Sequence, residues 1–491
     1  MKTPRLSEST LATLPSTVAR PSYARADTRI GIVHLGVGAF HRVHQAVYID
    51  DLLEEAPGWA ICGVSLRNPD VRDALRPQDG LYTLALLDGG PSRRVIGALR
   101  EVLCASDERD AVLARLAHPD VRLVMLTVTE KGYCLSADGV DLAHPDIARD
   151  LDRPEAPTSA IGYLVAGLAR RRAQGLPAFT MLSCDNLADN GGRLRRAVLH
   201  YAREIDAGLA DWIDTHAAFP RSMVDSITPA TDDALRVDVD AALGLHDAWP
   251  VQREPYAQWV VEDAFCNGRP PLERAGVILS SDIAGFDRAK LRLLNGPHSA
   301  LAYLGLLLEL ETVSDAMRHP GLSAYLERLM REDVAPTLES MDSFDVQAYI
   351  GAILARFRNP AIRHRLGQIA WDGSQKLPVR LLGTIADALA AGRPIDRLCL
   401  PIAAWMHVVR RQAQAGVPLD DPMAVALAEV GRTCTGDTPS DVACFLRIDA
   451  VFGRLATEPA FVAALEAGHV ALARSVEETL ERAAAERVVR T

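Results

Sequence analysis

A short segment near residue 290 carries three side chains that together could move a proton. Lys290, Asn295 and His298 lie within nine residues, in the otherwise apolar stretch KLRLLNGPH. On an α-helix, Asn295 would lie about 140° and His298 about 80° around the axis from Lys290, so all three can share one face. Burial disfavours the charged form of an amine, so such a lysine could act as a general base near neutral pH. The amide and the imidazole could bind the oxygen that loses its proton.

Pro297 interrupts this segment. Because proline has no N–H to donate to the carbonyl of Leu293, we expect the helix to kink or restart there. Asn295 would then have groups available to a ligand, although the effect on His298 is open. The alternative interpretation is structural, with Lys290 on the surface and His298 in the core.

A glycine-rich turn near the start of the chain follows an apolar run and precedes a helical pattern. Strand, Gly-x-Gly turn and helix in this order are typical of a dinucleotide-binding unit, whose backbone approaches a pyrophosphate at the helix N-terminus. His41 stands where the third glycine of that fingerprint is expected. The predicted cofactor contacts in this turn are Gly36, Val37, Gly38, Ala39 and Phe40.

The residues after the second predicted strand, 59–66, bear on the choice of cofactor. In this fold an acidic residue near the end of that strand holds the ribose 2′-hydroxyl of NAD, and Asp70 is the candidate. Arg67 and Arg72 could instead meet the 2′-phosphate of NADP. The sequence therefore favours NAD and leaves NADP open.

Polar side chains follow two further predicted strands, 121–128 and 178–184. Because ligands bind beyond the carboxyl ends of strands in open α/β sheets, Glu130 and Asn186 are predicted site residues. A later apolar run contains Asp225, which needs a partner if it points inward and is equally consistent with a structural carboxylate.

A polar region in the second half of the chain offers several cations. Arg363, Arg365 and Lys376 could contact an anionic or polyhydroxylated ligand. A solvated turn would show the same composition, so both interpretations stay open at this point.

Hydrophobic periodicity divides the chain into two regions. Alternating strands and helices over 1–285 predict a doubly wound, Rossmann-type α/β domain, and the pattern over 286–491 predicts a mainly α-helical domain. A buried helix is expected over 301–310. A long, largely solvent-facing final helix is expected over 460–489, with Gly468 as a candidate break.

Composition limits the classes of partner. The 491 residues carry a formal net charge of −11 and no block of Lys or Arg, which argues against a nucleic-acid partner. None of the eight cysteines forms a C-x-x-C pair, so neither a structural zinc site nor a disulfide framework is predicted. No apolar run approaches the roughly 18 residues of a membrane-spanning helix, and no signal peptide is predicted. We expect a cytoplasmic protein without a bound metal or a membrane partner.

These motifs occur together over nearly the whole chain, and the sequence resembles the polyol-specific long-chain dehydrogenases of the mannitol dehydrogenase family. The resemblance implies a zinc-independent NAD(P) oxidoreductase, with a Rossmann domain, a helical C-terminal domain and an active site in the cleft between them. It is carried by HLGVGAFHR at 34–42, QDGLYT at 78–83, TEKGY at 129–133, SCDN at 183–186, MVD at 223–225, EPYAQW at 254–259, KLRLLNGPH at 290–298 and DGSQK at 372–376.

The resemblance also implies a role for each candidate residue. Lys290 matches the general base of the family, and His298 matches a histidine that orients the substrate. The remaining matches are Asn186 and Asn295 for the asparagines that hold the reacting oxygen, Asp225 and Lys376 for substrate contacts, and Glu130 for proton exchange with solvent.

The cations and the Glu130-Lys131 pair resemble the sugar-acid branch of this family. Interconversion of D-mannonate and D-fructuronate is therefore the favoured reaction, with mannitol 2-dehydrogenase or arabinitol dehydrogenase activity as the alternative. We expect a small polyol or sugar-acid substrate and a monomeric enzyme. Two rival interpretations are a β-hydroxyacid dehydrogenase of the 6-phosphogluconate type and a catalytically silent NAD-binding sensor. The sensor would be expected to have lost Lys290 or Asn295.

Overall fold

A computed structural model describes residues 3–88, 90, 92–341 and 344–485. The chain divides into two compact units, residues 1–284 and 285–491, and the predicted boundary lies one residue from this division. The first unit contains strands and helices and the second is built from helices. The predicted fold class, a Rossmann-type α/β region followed by a helical region, is confirmed.

The strands of the first unit are short and mostly buried. They are β1 (Val18–Ala19), β2 (Ile30–Leu35), β3 (Ala60–Ser65), β4 (Tyr82–Leu86), β5 (Arg93–Ile96), β6 (Leu99–Cys104), β7 (Leu123–Leu126), β8 (Leu135–Ser136), β9 (Gly139–Val140), β10 (Thr180–Ser183), β11 (Ser222–Asp225), β12 (Val251–Arg253), β13 (Gln258–Val261) and β14 (Ile278–Leu279).

The helices of the first unit connect these strands. They are α1 (Ala39–Val43), α2 (Gln45–Asp50), α3 (Asp70–Leu75), α4 (Arg109–Leu116), α5 (Pro145–Asp152), α6 (Ala160–Ala173), α7 (Asn190–Ile205), α8 (Ala207–His216) and α9 (Asp233–Leu243). Short 3₁₀ turns lie at Glu8–Thr13, Arg25–Asp27, Pro57–Trp59, Arg76–Gln78, Glu130–Tyr133 and Leu272–Ala275.

Five parallel strands form the central sheet of the first unit, in the order β10-β7-β2-β3-β6. Alternate residues of β7 enter hydrophobic clusters on opposite faces, Val124 and Leu126 on one face and Leu123 and Met125 on the other. Parallel strands covered on both faces read as continuous apolar runs, which is the pattern seen in the sequence. The strand order reverses between β2 and β7, and ligands bind in doubly wound sheets beyond the carboxyl ends of strands at such a point.

The second unit is a helical assembly. Its α-helices are α10 (Ile283–Ala289, which begins at the unit boundary), α11 (Gly296–Leu307), α12 (Val313–Arg318), α13 (Pro320–Arg328), α14 (Val346–Arg358), α15 (Leu366–Ile369), α16 (Gly373–Leu377), α17 (Gly383–Ala390), α18 (Asp396–Gln414), α19 (Ala424–Thr433), α20 (Thr438–Leu446), α21 (Asp449–Phe452), α22 (Pro459–Arg474) and α23 (Val476–Ala485). Segments of π-helix occupy Lys290–Asn295, Leu329–Val334 and Pro378–Leu382, and 3₁₀ turns lie at Ala335–Thr337 and Gly453–Thr457.

The expected interruption at Pro297 takes the form of a change in helix type. The chain passes from α10 through the π segment Lys290–Asn295 into α11, which begins at Gly296. The backbone stays helical at Asn295 and Gly296, so Pro297 lies within a continuous helical segment and directly follows the π turn. A proline in a helix removes one backbone hydrogen bond, and the change from π to α bonding occurs at this point.

The prediction of one solvent-facing final helix was wrong. α22 continues through Gly468, and extended backbone at Ser475 separates it from α23. A Cβ at Gly468 would lie 3.2 Å from Leu400 of α18, so this glycine permits close packing of α22 against α18. The predicted residues beyond 485 lie outside the described part of the chain. Among the described residues, no helix is long and apolar enough to cross a membrane.

Candidate active site

The turn after β2 is shaped by two glycines with different constraints. Gly36 has φ +93°, and a Cβ there would lie 2.1 Å from the carbonyl oxygen of Thr127, so the fold itself requires glycine. Gly38 has φ −70°, and its Cβ would meet no atom within 4 Å. Gly38 instead lines a cavity of about 640 Å³ beside the carboxyl ends of β2, β3 and β7. Because Gly38 has no side chain and faces open space, its backbone can be approached closely by a pyrophosphate.

His41 stands at the position of the third glycine of the fingerprint, and its ring packs inside the fold. Its ring is fully buried in α1 and stacks on His34 of β2, with the ring centroids 3.4 Å apart. In the fingerprint, the third glycine allows the helix to pack closely against the strand. Here the His41 ring fills the space between α1 and β2 instead. Burial lowers the pKa of His34 to about 3 and that of His41 well below its usual range, so both rings are neutral.

Five of the seven predicted cofactor contacts line this cavity, namely Gly36, Val37, Gly38, Arg67 and Asp70. Ala39 and Phe40 are absent from its lining; they begin α1 and pack against the core. Trp249 lines the cavity as well and was not predicted. Its indole lies beside the guanidinium groups of Arg42 and Arg236, a pairing between residues far apart in sequence.

The rim of the cavity holds the charges that bear on cofactor choice. Asp70 accepts a hydrogen bond from the amide of Asn68 at 2.9 Å. Arg67 forms an ion pair with Asp146 of α5. Arg72 is not among the cavity residues, and it pairs with three carboxylates, those of Asp73, Asp107 and Glu108.

One group of potential metal ligands occurs in the part of the chain that the structure describes. Atoms of Cys134, His144 and Asp146 lie within 4.8 Å of one another at the same rim. The Asp146 carboxylate is already paired with Arg67, and His144 Nδ1 accepts the backbone N–H of Asp146 at 3.3 Å. These contacts fix the start of α5, and they give Asp146 and His144, two of the three potential ligands, a structural role.

Asp185 holds together the two loops that carry Glu130 and Asn186. Its carboxylate accepts hydrogen bonds of 3.0 Å from the backbone N–H groups of Val128 and Thr129. It also accepts one of 2.7 Å from the hydroxyl of Tyr133. Burial raises the pKa of Asp185 and these hydrogen bonds oppose that shift.

Within those loops, Thr129 adopts φ +65°, a strained conformation that the Asp185 contacts support. The Glu130 and Asn186 side chains are exposed, whereas Tyr133 is buried. Tyr133 is therefore a positioning residue for the loops.

Asn190 ties the loop of Asn186 to β11. Its amide nitrogen donates to the carbonyl oxygens of Ser222 at 2.8 Å and Asp185 at 3.2 Å, and its amide oxygen accepts from the Ser222 N–H at 3.0 Å. β11 ends at Asp225, which is buried. Sequence reasoning missed both Asp185 and Asn190. Their signal was the run of polar residues directly after a buried strand.

In the second unit, Lys290 and Asn295 are the first and last residues of the π segment. In a π-helix the residue at i+5 follows residue i by one hydrogen-bonded turn. The N–H of Gly296 donates to the carbonyl of Leu291, which shows this bonding directly. Lys290 and Asn295 therefore lie one turn apart along the helix, and both side chains are half-buried.

His298 follows in the first turn of α11 and is 8% exposed. Its Nε2 is buried and has no hydrogen-bond partner in the structure. Its ring lies 4.4 Å from Phe357 and 5.4 Å from His364, measured between centroids. Burial, together with the nearby His364, Arg356 and Arg380, lowers the pKa of His298 well below its usual range. The ring is therefore neutral and can donate or accept one hydrogen bond at Nε2.

Two cations, Lys376 and Arg380, lie near His364. Burial lowers its pKa, and the positive charges of Lys376 and Arg380 lower it further. Lys376 lies on α16 with its Nζ 3.5 Å from a carboxylate oxygen of Asp372. Burial and Arg380 lower the pKa of Lys376. His298, His364, Lys376 and Arg380 thus form a polar group of neutral imidazoles and cations, which we call the imidazole–cation group.

Arg363 and Arg365 are not part of this group. Both side chains are exposed, and Arg365 pairs with Glu311 at 3.2 Å. Arg365 also forms an isolated β-bridge with Thr312. Because successive residues of extended backbone point to opposite sides, His364 turns inward where its two neighbours turn outward. The structure therefore places His364, not the predicted arginines, beside His298.

Comparison with known proteins places these features in one family. The Mannitol dehydrogenase Rossmann domain matches residues 30–274, and the Mannitol dehydrogenase C-terminal domain matches residues 282–473. A mannitol 2-dehydrogenase of Pyrenophora tritici-repentis is 42% identical over 436 residues, covering 86% of this chain and 77% of that protein.

Two solved structures resemble the whole chain. Mannitol 2-dehydrogenase of Pseudomonas fluorescens, a ternary complex with NAD and D-mannitol, is 39% identical with a TM-score of 0.79, covering 97% of this chain and 99% of that chain. A D-sorbitol dehydrogenase in substrate-free form is 34% identical with a TM-score of 0.90, covering 98% and 100% respectively. The resemblance inferred from the sequence motifs is confirmed.

Proposed function

The chain belongs to the mannitol dehydrogenase family, and we propose that it is an NAD-dependent polyol dehydrogenase that interconverts a secondary alcohol of a polyol and the corresponding ketose. The observation that carries this proposal is the π segment, which sets Lys290 and Asn295 one turn apart with the buried His298 just beyond. The names of the related proteins, mannitol 2-dehydrogenase and D-sorbitol dehydrogenase, support a polyol substrate.

The cavity of the first unit fits NAD. Gly36 and Gly38 leave room for the pyrophosphate, and Asp70 stands at the rim where a ribose hydroxyl would be bound. Arg67, the arginine of the cavity lining that could meet a 2′-phosphate, is paired with Asp146. Bound NAD would supply the acceptor for the hydride that leaves the alcohol carbon. The protein supplies the contacts that hold the cofactor and the groups that handle the proton.

Lys290 is the proposed general base, which takes the hydroxyl proton during oxidation and returns it to the carbonyl oxygen during reduction. A positioned general base typically contributes roughly 10²–10⁴-fold to the rate. Asn186 and Asn295 donate hydrogen bonds to the developing alkoxide, and one such donor is typically worth roughly 10²–10³-fold. Glu130, exposed on the loop that Asp185 holds, exchanges the proton with solvent.

His298 orients the substrate. Because its ring is neutral and Nε2 lacks a protein partner, it can hydrogen-bond a sugar hydroxyl without a change of charge. Asp225 and Lys376 supply further polar contacts to the hydroxyl groups. Arg363 and Arg365, which face away from His298, take no part in this proposal.

A second candidate is the sugar-acid reaction, D-mannonate to D-fructuronate. The imidazole–cation group favours it, because Lys376 and Arg380 could pair with a carboxylate. Asp372 already offsets part of the Lys376 charge, and the relatives carry the names of polyol enzymes. The polyol reaction is therefore preferred, and the favoured reaction of the sequence analysis becomes the alternative.

The test is a comparison of substrates with purified protein. Oxidation of NADH is followed at 340 nm with fructose, xylulose, fructuronate and tagaturonate at equal concentrations. The proposal expects kcat/KM for fructose or xylulose to exceed that for either uronate. Turnover confined to a uronate would establish the second candidate, and no turnover of any ketose with NADH or NADPH would contradict both.

A further inference from the structure

We propose that Asp146 is a specificity-determining residue, which disfavours NADP by holding Arg67 in an ion pair. The proposal rests on the proposed function in one respect, namely that the cavity of the first unit binds the dinucleotide. It concerns the 2′-position of the adenosine ribose and adds no contact to the reacting alcohol.

The geometry at the rim supports this role. Arg67 follows β3, and both Arg67 and Asp146 line the cavity, together with Asp70. Arg67 is 76% exposed at its side chain, so the guanidinium is at the mouth of the cavity and is not fixed by packing. The Asp146 side chain is only 18% exposed and lies in the first turn of α5. The carboxylate is thus the better fixed partner of the pair.

The chemistry makes Arg67 the natural partner of a phosphate. A guanidinium binds phosphate oxygens through paired N–H groups and stays charged at all working pH values. With Asp146 in place, a 2′-phosphate would have to displace a carboxylate to reach that guanidinium. The 2′-hydroxyl of NAD does not need to contact Arg67, since Asp70 can accept its hydrogen bond.

Two other arginines near this rim, Arg72 and Arg149, provide internal comparisons. Arg72 also pairs with carboxylates, including that of Asp107 at 2.7 Å, but Arg72 does not line the cavity. Removing the Asp107 charge therefore frees part of a guanidinium that cannot meet the cofactor. Arg149 also lies near the Asp146 carboxylate, at 3.6 Å, and is not a cavity residue. An effect of Asp146 transmitted by Arg149 would persist when Arg67 is replaced.

The experiment measures the dissociation constants of NADPH and NADH by ligand fluorescence, so no sugar substrate is needed. The proteins are wild type, Asp146→Asn, Arg67→Gln, the double variant Asp146→Asn/Arg67→Gln, and the control Asp107→Asn. Asp146→Ala, which also removes the acceptor oxygen, is the second variant at the site. Asp146→Glu keeps the charge and tests whether the pair tolerates a longer side chain.

We expect Asp146→Asn to tighten NADPH binding by roughly two- to fivefold, the range for release of an exposed ion pair. The dissociation constant of NADH for Asp146→Asn should stay within about 1.5-fold of wild type, because NADH has no 2′-phosphate for the freed guanidinium to bind. All values for Asp107→Asn should also stay within about 1.5-fold, because its partner Arg72 does not line the cavity. Asp146→Ala should tighten NADPH binding at least as much as Asp146→Asn, and Asp146→Glu should behave like wild type.

The Arg67→Gln background decides the mechanism. There the Asp146→Asn change should alter NADPH binding by less than about 1.5-fold, since no guanidinium remains to be released. An equal gain in this background would mean that Asp146 acts by direct repulsion, through Arg149 or through His144, whose Nδ1 lies 3.9 Å from the carboxylate, and would overturn the proposal. So would unchanged NADPH binding in both Asp146→Asn and Asp146→Ala. Failure of the wild type to bind NADH would instead contradict the proposed function.

Discussion

The two glycines of the nucleotide turn make a matched pair that separates a folding requirement from a binding requirement. At Gly38, an added methyl group would meet no protein atom within 4 Å, and φ −70° is an ordinary angle for alanine. Gly38→Ala should therefore leave the fold intact and raise its stability by up to about 1 kcal/mol, through the lower entropy of the unfolded chain. The same methyl group would occupy space that the pyrophosphate needs.

The cost to binding can be set from the cost of overpacking. Forcing a methyl group into a filled contact typically costs about 1–3 kcal/mol, which corresponds to a rise in the dissociation constant of roughly 5- to 150-fold. NADH fluorescence titration measures this value, and urea unfolding measures the stability of the same protein. Normal NADH affinity in a folded Gly38→Ala protein would show that this turn does not hold the pyrophosphate.

Gly36→Ala should give the opposite pattern. Its Cβ would lie 2.1 Å from the Thr127 carbonyl oxygen, at φ +93°. Backbone strain and overpacking together predict a loss of about 2–6 kcal/mol in the free energy of unfolding. A Gly36→Ala protein as stable as wild type would contradict the geometry of the turn.

Three further predictions concern the core of the first unit, the loop residue Tyr133 and the proposed substrate contact Lys376. Burial holds the pKa of His34 at about 3, whereas a histidine in the unfolded chain titrates near 6.5, so the unfolded state takes up the proton first as the pH falls. His34 should therefore lower the free energy of unfolding by about 1.4 kcal/mol per pH unit below pH 6.5. Urea unfolding at pH 7 and pH 5 should show a smaller loss in His34→Asn than in wild type; an equal loss would contradict this. Tyr133→Phe removes a hydrogen bond to Asp185 and should lower the free energy of unfolding by about 1–3 kcal/mol and reduce kcat, whereas unchanged values of both would exclude a positioning role. Lys376→Met should raise KM for the sugar more than it lowers kcat, and steady-state kinetics with KM unchanged would remove Lys376 from the substrate contacts.

The central sheet was predictable because its strands are buried on both faces. Continuous apolar runs such as Leu123–Leu126 stand out in a sequence, and the Gly-x-Gly turn after β2 identified the fold. The predicted runs were longer than the strands. Thr127 still donates its N–H to the carbonyl of Leu35 in β2 at 2.9 Å, and the ladder ends there because the next N–H, that of Val128, donates to Asp185, 57 residues further along the chain.

The site was harder to predict where backbone geometry decides the direction of a side chain. Lys290 and Asn295 were identified by type, but ordinary α-helical spacing does not reveal the π segment that sets them one turn apart. Arg363 and Arg365 were selected for their charge. The β-bridge between Arg365 and Thr312 fixes which way this segment faces, and that pairing turns His364 toward His298 instead.

The supporting residues were missed for a related reason. In the sequence, Asp185 and Asn190 do not differ from other polar residues that follow a strand. Their role comes from hydrogen bonds, which join Asp185 to Val128 and Tyr133 and join Asn190 to Ser222. Those partners are distant in sequence, so spacing within one segment carries no sign of them. A buried carboxylate directly after a strand is the kind of local pattern that does indicate such a role.

The assignment of Lys290 as the general base is tested most directly by Lys290→Ala, with Arg288→Ala as a neighbouring control that removes an exposed cation paired with Glu339. Turnover of the preferred ketose, NADH affinity, and rescue of turnover by added primary amines are measured on both proteins. We predict a loss in kcat of roughly 10²–10⁴-fold for Lys290→Ala, with NADH affinity retained and partial rescue by amines, and near wild-type turnover for Arg288→Ala. Near wild-type turnover in Lys290→Ala would contradict the assignment, whatever the substrate proves to be.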